Sequence, residues 1–166
     1  MADLTSNPWS FTSTDQAANA AITSITRNGI GSATVQLGGA LTGLAKNLYI
    51  SIQATATAWN GGYRIEDVGS AANSFLIAIP LWKSSLANLG AVGNVYTMAY
   101  PQDIEVTQML WDGATTGSLL ITSQAGNTVW APGSPAFSGT LTYMKAFPIY
   151  GLVLNTIGSG TLQISV

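Results

Sequence analysis

Apolar and polar residues alternate most clearly in the stretch from Leu48 to Ile79. At its start, Leu48, Ile50, Ile52, Ala54 and Ala56 alternate with Tyr49, Ser51, Gln53, Thr55 and Thr57. A period of two is typical of a strand with one buried face. Asn60-Gly61-Gly62 favours a chain reversal, because these residues accept positive φ. We therefore predict a three-stranded antiparallel meander, which returns over Tyr63–Val68 and, after a turn at Ser70–Asn73, ends on Phe75, Ile77 and Ile79.

Short alternating segments continue on both sides of this meander. Two strands are predicted before it, at Ala20–Arg27 and Ala33–Leu37, and one after it, at Val95–Tyr100. A second series begins near Ile104, contains a Pro/Gly/Ser-rich loop at Pro132–Gly139 and runs to the last residue. Short strands separated by glycine-rich turns favour an all-β fold, an antiparallel sandwich or barrel. We predict two β-rich halves and an extended N-terminal arm: residues 1–19 form the arm, 20–101 a β-rich module and 102–166 a second, small sandwich-like module.

The composition points to a protein that packs against neighbours. Of the 166 residues, 47% are hydrophobic and 7% are charged, whereas an average soluble chain has about 25% charged residues. Five basic residues at a net charge of −2 do not form the clustered basic face that nucleic acid requires, so no nucleic-acid partner is expected. No apolar run approaches the ~20 residues of a spanning helix. The first residues lack the pattern of a secretory signal, and no membrane partner is expected.

Residues with catalytic or metal-binding chemistry are scarce. The chain has no histidine and no cysteine, which removes the commonest general base and the usual zinc ligands. Glu66 and Asp67 are adjacent on a strand and point to opposite faces, whereas Asp103 and Glu105 share a face. Glycosidases need two carboxylates at a defined separation, but a solvated strand edge is the simpler interpretation of this pair. Asp112 is the only acid in its loop, so a turn is favoured over a calcium site. We expect no catalytic residue, no metal and no cofactor.

The aromatic residues leave two interpretations open. Five tryptophans and six tyrosines are compatible with a sugar-stacking or partner-binding surface and with core packing. For Trp111 and Trp130 the core is favoured, whereas Trp9 and Trp82 stay open. We take Trp9, Phe11 and Trp82 as the candidate partner-binding residues, because buried aromatic side chains tend to dominate interface energies.

Two sets of motifs resemble structural proteins of tailed bacteriophages. In the first half these are Trp59-Asn60-Gly61, Tyr63–Val68 and Asn73-Ser74-Phe75, which resemble a β-module common in such proteins. The second half pairs a Trp-x-Gly-x-Thr motif beginning at Trp111 with a Gly-Leu-x-Leu-x-Thr-x-x-Ser-Gly hairpin beginning at Gly151. This half is similar to another small virion pattern.

The resemblance implies a non-enzymatic virion protein, most like a capsid decoration, or cement, protein. Such a protein would be made in the bacterial host cytoplasm and would bind the major capsid protein on the outside of the lattice. There it would stabilise the capsid by bridging neighbouring subunits, with self-association as a trimer or other homo-oligomer, and the arm would contact the capsid through Trp9 and Phe11. A tail, fibre or connector component is the first alternative. A carbohydrate-binding adhesin module that uses the tryptophans is the second.

Overall fold

The predicted all-β fold is confirmed. The computed structural model describes residues 4–69, 73–83, 85–91, 93–112, 114–132 and 139–166; most of the turn predicted at Ser70–Asn73 and of the loop predicted at Pro132–Gly139 lies outside them. The described residues form twelve strands, β1 (Trp9–Phe11), β2 (Asn19–Arg27), β3 (Ser32–Leu37), β4 (Tyr49–Gln53), β5 (Gly61–Val68), β6 (Ser74–Ala78), β7 (Asn94–Thr97), β8 (Tyr100–Asp112), β9 (Leu119–Ser123), β10 (Thr128–Trp130), β11 (Gly139–Ile157) and β12 (Thr161–Ser165). Short 3₁₀ turns lie at Ser13–Asp15, Thr57–Trp59 and Leu81–Lys83. Within the described part of the chain, no helix has the length and apolar character needed to cross a membrane.

The chain forms two compact units. Unit 1 contains Met1–Ala17, Ala99–Ser123 and Asn127–Val166, and unit 2 contains Ala18–Met98 with Gln124–Gly126. The N-terminal segment therefore belongs to the same unit as most of the C-terminal half.

Unit 2 is a closed antiparallel barrel with the strand order β2-β3-β6-β5-β4-β7. The predicted meander supplies three neighbouring strands of it, because β5 pairs with both β4 and β6. Alternation places the apolar side chains inside; along β3, for example, every second residue is buried. The core of the barrel consists of Ala20, Ile22, Ile25, Ala33, Val35, Leu37, Leu41, Ile50, Ile52, Ala54, Trp59, Tyr63, Ile65, Phe75, Ile77, Ile79 and Val95.

Strand direction brings three connections to one end of this barrel. Because neighbouring strands are antiparallel throughout, β2, β4 and β6 run the same way and end at the same rim. The connections that follow them are residues 28–31, 54–60 and 79–93. We call this rim the loop end of unit 2.

Unit 1 contains an open six-stranded sheet in the order β1-β12-β8-β11-β9-β10. Its longest strand, β11, pairs with β8 as far as Leu152 and with β9 from Leu152 onward. The change of partner occurs beside Gly151, whose φ of +66° coincides with a shift of register and is readily adopted by glycine. The core consists of Trp9, Phe11, Ile104, Val106, Met109, Trp111, Ala114, Leu119, Ile121, Ile149, Leu152, Leu154, Ile157, Leu162 and Ile164.

The segment predicted as an extended arm lies along this sheet as its edge strand. Trp9 pairs with Ile164 and Phe11 with Leu162, and only 6% and 1% of these two aromatic residues are exposed. The Asn7 side chain donates to the carbonyl of Val166 at 2.7 Å and accepts from its amide at 3.2 Å. Backbone pairing and core packing therefore fix this segment within unit 1.

Candidate functional site

The carboxylates considered for catalysis lie on the surface. Asp103 and Glu105 are exposed on the same face of β8, as alternation predicts. Glu66 accepts from Arg64 at 2.6 Å. Among the described residues, no group of three or more acidic side chains is placed to hold a metal ion.

Among the described residues, the most exposed large apolar side chains lie at the loop end of unit 2. The exposed fraction is 81% for Ile30 and 73% for both Leu81 and Trp82. Ile30 lies in the β2–β3 connection, and the amide of Ile79 donates to the carbonyl of Gly31 at 2.9 Å. This hydrogen bond places the β2–β3 connection beside the chain that leads into Leu81. We call Ile30, Leu81 and Trp82 the apolar rim.

Directly after these exposed residues comes a buried lysine. Lys83 is 5% exposed, and its Nζ donates to the carbonyl oxygen of Asn60 at 3.0 Å and to the hydroxyl of Tyr63 at 2.5 Å. The ammonium lies 4.7 Å from the centroid of the Tyr63 ring and 5.0 Å from that of Trp82. The distance to Trp82 is within the range of cation–π attraction, whereas the hydrogen bond to the Tyr63 hydroxyl places the ammonium at the edge of that ring. Lys83 thus joins the exposed Trp82 to the interior of the barrel.

The Asn60 carbonyl and the Tyr63 hydroxyl, which accept hydrogen bonds from Lys83, are held in place by the motif Trp59-Asn60-Gly61. The Asn60 side chain accepts from the amide of Ala54 at 2.6 Å, and the Tyr63 hydroxyl donates to the carbonyl of Trp59 at 2.6 Å. Gly61 has a φ of +143°, which favours glycine. The motif therefore gives the β4–β5 connection the conformation that binds the lysine ammonium.

Burial governs the electrostatics of this cluster. Removal from water lowers the pKa of the Lys83 ammonium from its usual value of 10.5, because it disfavours the charged form. The same effect raises the pKa of the Tyr63 hydroxyl. Tyr63 therefore stays a neutral donor to Trp59 and acceptor from Lys83 at ordinary pH.

The chain after Lys83 is fastened to the barrel as well. The Trp59 indole donates to the carbonyl of Ala87 at 3.1 Å, and Asn88 accepts from the amide of Arg27 at 2.9 Å. Leu89 exchanges two backbone hydrogen bonds of 2.9 Å with Ile25. Because both sides of the Leu81–Lys83 turn are bonded to the barrel, the apolar rim has a defined position.

In unit 1 the second motif forms a similar hydrogen-bonded cluster around Ser159. The Ser159 hydroxyl accepts from the amides of Thr115 and Thr116, at 2.7 Å each, and donates to the carbonyl of Thr116 at 3.1 Å. The Trp111 indole donates to the carbonyl of Ser159 at 3.0 Å. The motif residues thus hold two connections of unit 1 together.

The predicted site residues belong to different units. Trp82 is exposed at the loop end, whereas Trp9 and Phe11 fill the core of unit 1, so a role for these two in partner binding stays a prediction. The residue that sequence reasoning missed is Lys83. A signal was present, because Lys83 directly follows an aromatic residue in a chain with only five basic residues.

No protein-family model, no curated protein and no solved structure matches the chain.

Proposed function

We propose that the chain is a non-enzymatic structural protein of a tailed-phage particle. It binds the outside of the capsid lattice through the apolar rim and stabilises the lattice by bridging neighbouring capsid subunits. The observation that carries this proposal is the exposed Leu81–Trp82 pair, held on a buried lysine. The resemblance of the motifs to structural proteins of tailed phages is the reason for assigning the chain to a phage particle.

The rim has the physical properties of an interface anchor. Tryptophan is enriched among residues that dominate binding energy, and a side chain that is already fixed loses little entropy on binding. The hydrogen bonds of Lys83 and of the segment up to Leu89 fix the backbone beside Trp82, and the Lys83 ammonium lies 5.0 Å from the Trp82 ring. The rim therefore favours a preorganised contact with a large partner surface.

The low charge of the chain supports the same proposal. With 7% charged residues, the surface has little of the charge repulsion that keeps proteins apart. A capsid lattice repeats its contact sites many times, so the stabilisation that one bound copy contributes is repeated over the particle.

The test uses capsids of the source phage that were assembled without this chain. The purified protein is added back, and occupancy is measured by sedimentation and cryo-electron microscopy. We expect saturation at a fixed number of copies per capsid subunit and a gain in capsid heat resistance. Trp82→Ala is expected to weaken binding about 30-fold, as for a hot spot of about 2 kcal/mol.

Val166→Ala is the matched control, since it shortens an exposed apolar side chain of unit 1 and is expected to bind like the parent. A few copies at a single vertex would point instead to a tail or connector component. Absence of capsid binding, together with a change of tryptophan fluorescence on glycans, would favour the adhesin alternative.

A further inference from the structure

Two asparagine–glycine pairs lie at the loop end of unit 2, in different surroundings. Asn28-Gly29 begins the β2–β3 connection, and Asn60-Gly61 joins the β4–β5 connection to β5. Asparagine is a thermolabile residue, because the backbone nitrogen of the next residue can attack its side-chain carbonyl carbon. A glycine in that position has no side chain to obstruct the attack. Both pairs have the same chemistry, so their surroundings decide which one reacts.

The contacts of Asn60 oppose this attack. Its side-chain oxygen accepts from the amide of Ala54 at 2.6 Å, and its backbone carbonyl accepts from the Lys83 ammonium at 3.0 Å. Gly61 is paired with Ile52 in the ladder between β4 and β5. The Asn60 side chain therefore has to leave Ala54 before it can reach the Gly61 nitrogen, and the lysine and the ladder hold the peptide group that joins the two residues.

The surroundings of Asn28 permit the attack. Asn28 and Gly29 are both exposed, and a Cβ added at Gly29 would have no neighbour within 4 Å. The Asn28 side chain donates to the hydroxyl of Thr34 at 2.7 Å. This bond lies at the surface, where water can replace it at little cost. The side chain and the Gly29 nitrogen thus have room to close a five-membered ring.

We propose that Asn28 is a site of spontaneous covalent modification, in which the amide is converted to aspartate or isoaspartate. The Gly29 nitrogen loses its proton and forms a bond to Cγ of Asn28, the bond between Cγ and Nδ2 breaks, and ammonia leaves. Water then opens the succinimide ring at Cγ to give aspartate, or at the original peptide carbon to give isoaspartate. Water is the only co-reactant, and nothing is oxidised or reduced.

The modification alters the apolar rim. It places a carboxylate two residues before Ile30 and removes the donor to Thr34. Isoaspartate also adds a methylene group to the backbone of a connection that is closed by a 3.0 Å hydrogen bond from the amide of Asn28 to the carbonyl of Ser32. Because a charge is costly to remove from water, the converted chain is expected to bind capsids more weakly. This consequence rests on the proposed function, whereas the conversion itself does not.

Ageing of the purified chain, followed by mass spectrometry, tests the conversion. The chain is incubated at pH 7 and pH 9, folded or in guanidinium chloride, and cleavage after lysine separates residues 1–46, with Asn28, from residues 47–83, with Asn60. In the folded chain we expect conversion at Asn28 to be at least about tenfold faster than at Asn60, the rate equivalent of one hydrogen bond that has to break first. In denaturant the two rates should be comparable, because these contacts are lost. Both should increase at pH 9, because the attacking nitrogen has to lose its proton.

Two substitutions test the assignment to Asn28. Thr34→Val removes the acceptor of the Asn28 side chain and is expected to raise the rate at Asn28 about threefold, as for a weak surface hydrogen bond, with no change at Asn60. Asn28→Gln is the matched control, since the ring would have six members, and residue 28 is expected to stay unconverted. Equal rates at the two pairs in the folded chain, or conversion at Asn28 only in denaturant, overturn the proposal.

Binding to capsids tests the effect on the rim. Asn28→Asp carries the charge of the converted chain and is expected to bind about tenfold more weakly than Asn28→Gln, as for a charge partly removed from water. Equal binding of the two variants contradicts the effect on the rim. Failure of the parent itself to bind capsids contradicts the proposed function, while the rates measured by mass spectrometry decide the conversion in either case.

Discussion

Replacing Lys83 by methionine tests whether the buried ammonium holds the apolar rim. The substitution keeps an unbranched apolar side chain of similar length and removes the charge. The carbonyl of Asn60 and the hydroxyl of Tyr63 each lose a donor, while Tyr63 keeps its hydrogen bond to Trp59. The change therefore isolates the contribution of the ammonium from that of the packing.

The expected magnitude is a balance of two opposing terms. Hydrogen bonds to a charged group contribute about 1.5–3 kcal/mol each, and an unsatisfied buried carbonyl costs about 1–3 kcal/mol. Against this, methionine avoids the desolvation of an ammonium, which is several kcal/mol. We expect a net loss of about 1–2 kcal/mol in the free energy of unfolding. Lys83→Ala also removes three methylene groups of buried stem, at about 0.8 kcal/mol each, and should cost about 2 kcal/mol more.

Urea unfolding measures the global effect, and amide hydrogen exchange measures the local one. We expect faster exchange in Leu81–Leu89 in Lys83→Met, with little change in unit 1. Lys46→Met is the matched control, since Lys46 is exposed in the same unit and should change stability by less than about 0.5 kcal/mol. Combination with Tyr63→Phe should give a coupling energy of about 1 kcal/mol. Unchanged stability together with unchanged exchange in Lys83→Met would refute the role of the ammonium as an anchor.

Three further predictions concern the pH dependence of stability and the hydrogen-bonded cluster around Ser159 in unit 1. Burial lowers the pKa of Lys83 in the folded state from 10.5, so between that lowered pKa and 10.5 the unfolded chain binds more protons than the folded one. In this pH range the stability of the parent relative to Lys83→Met should therefore rise with pH. The pKa of Tyr63 is raised from 10.0, so its contribution to stability should fall as the pH increases above about 10. Urea midpoints between pH 7 and 11, measured for the parent, Lys83→Met and Tyr63→Phe, separate the contributions of Lys83 and Tyr63. Ser159→Ala removes the acceptor of two amides and should cost about 1–2 kcal/mol in thermal unfolding, whereas Ser118→Ala should be neutral. Gly117→Ala should cost about 1–3 kcal/mol, because φ is +84° and the added Cβ would lie 2.7 Å from the Cα of Gly158. Gly39→Ala, where an added Cβ has no neighbour within 4 Å, is its control.

The strands were predictable where alternation is strong, and their ends were not. The meander of β4, β5 and β6 follows from periodicity and the Asn60-Gly61 turn. Sequence reasoning extended the first strand to Thr57, but β4 ends at Gln53, because the amide of Ala54 is taken by the Asn60 side chain. The first module was predicted to end at residue 101, yet Pro101 lies within β8. There β8 is paired on one side only, so the missing donor of the proline costs little.

The site was only partly predictable, because its contacts are distant along the chain. The exposure of Trp82 agrees with one of the two interpretations open for it. The partners of Lys83 lie 20 and 23 residues away, and no local pattern links them. Burial of Trp9 and Phe11 depends on pairing with β12, across nearly the whole chain. A period-two pattern gives the face of a residue but not the element that covers it.

The motifs that carry the phage resemblance have structural tasks in both units. The motif Trp59-Asn60-Gly61 accepts a hydrogen bond from Lys83, and the motif that begins at Trp111 donates one to Ser159. These contacts lie within each unit and do not depend on what the chain binds, so the motifs are evidence for the fold before they are evidence for a function. The side chains of the apolar rim are exposed, and these surfaces can change without removing a hydrogen bond of the motif residues. Partner choice in this protein is therefore expected to reside on these exposed surfaces, while the motif residues keep them in place.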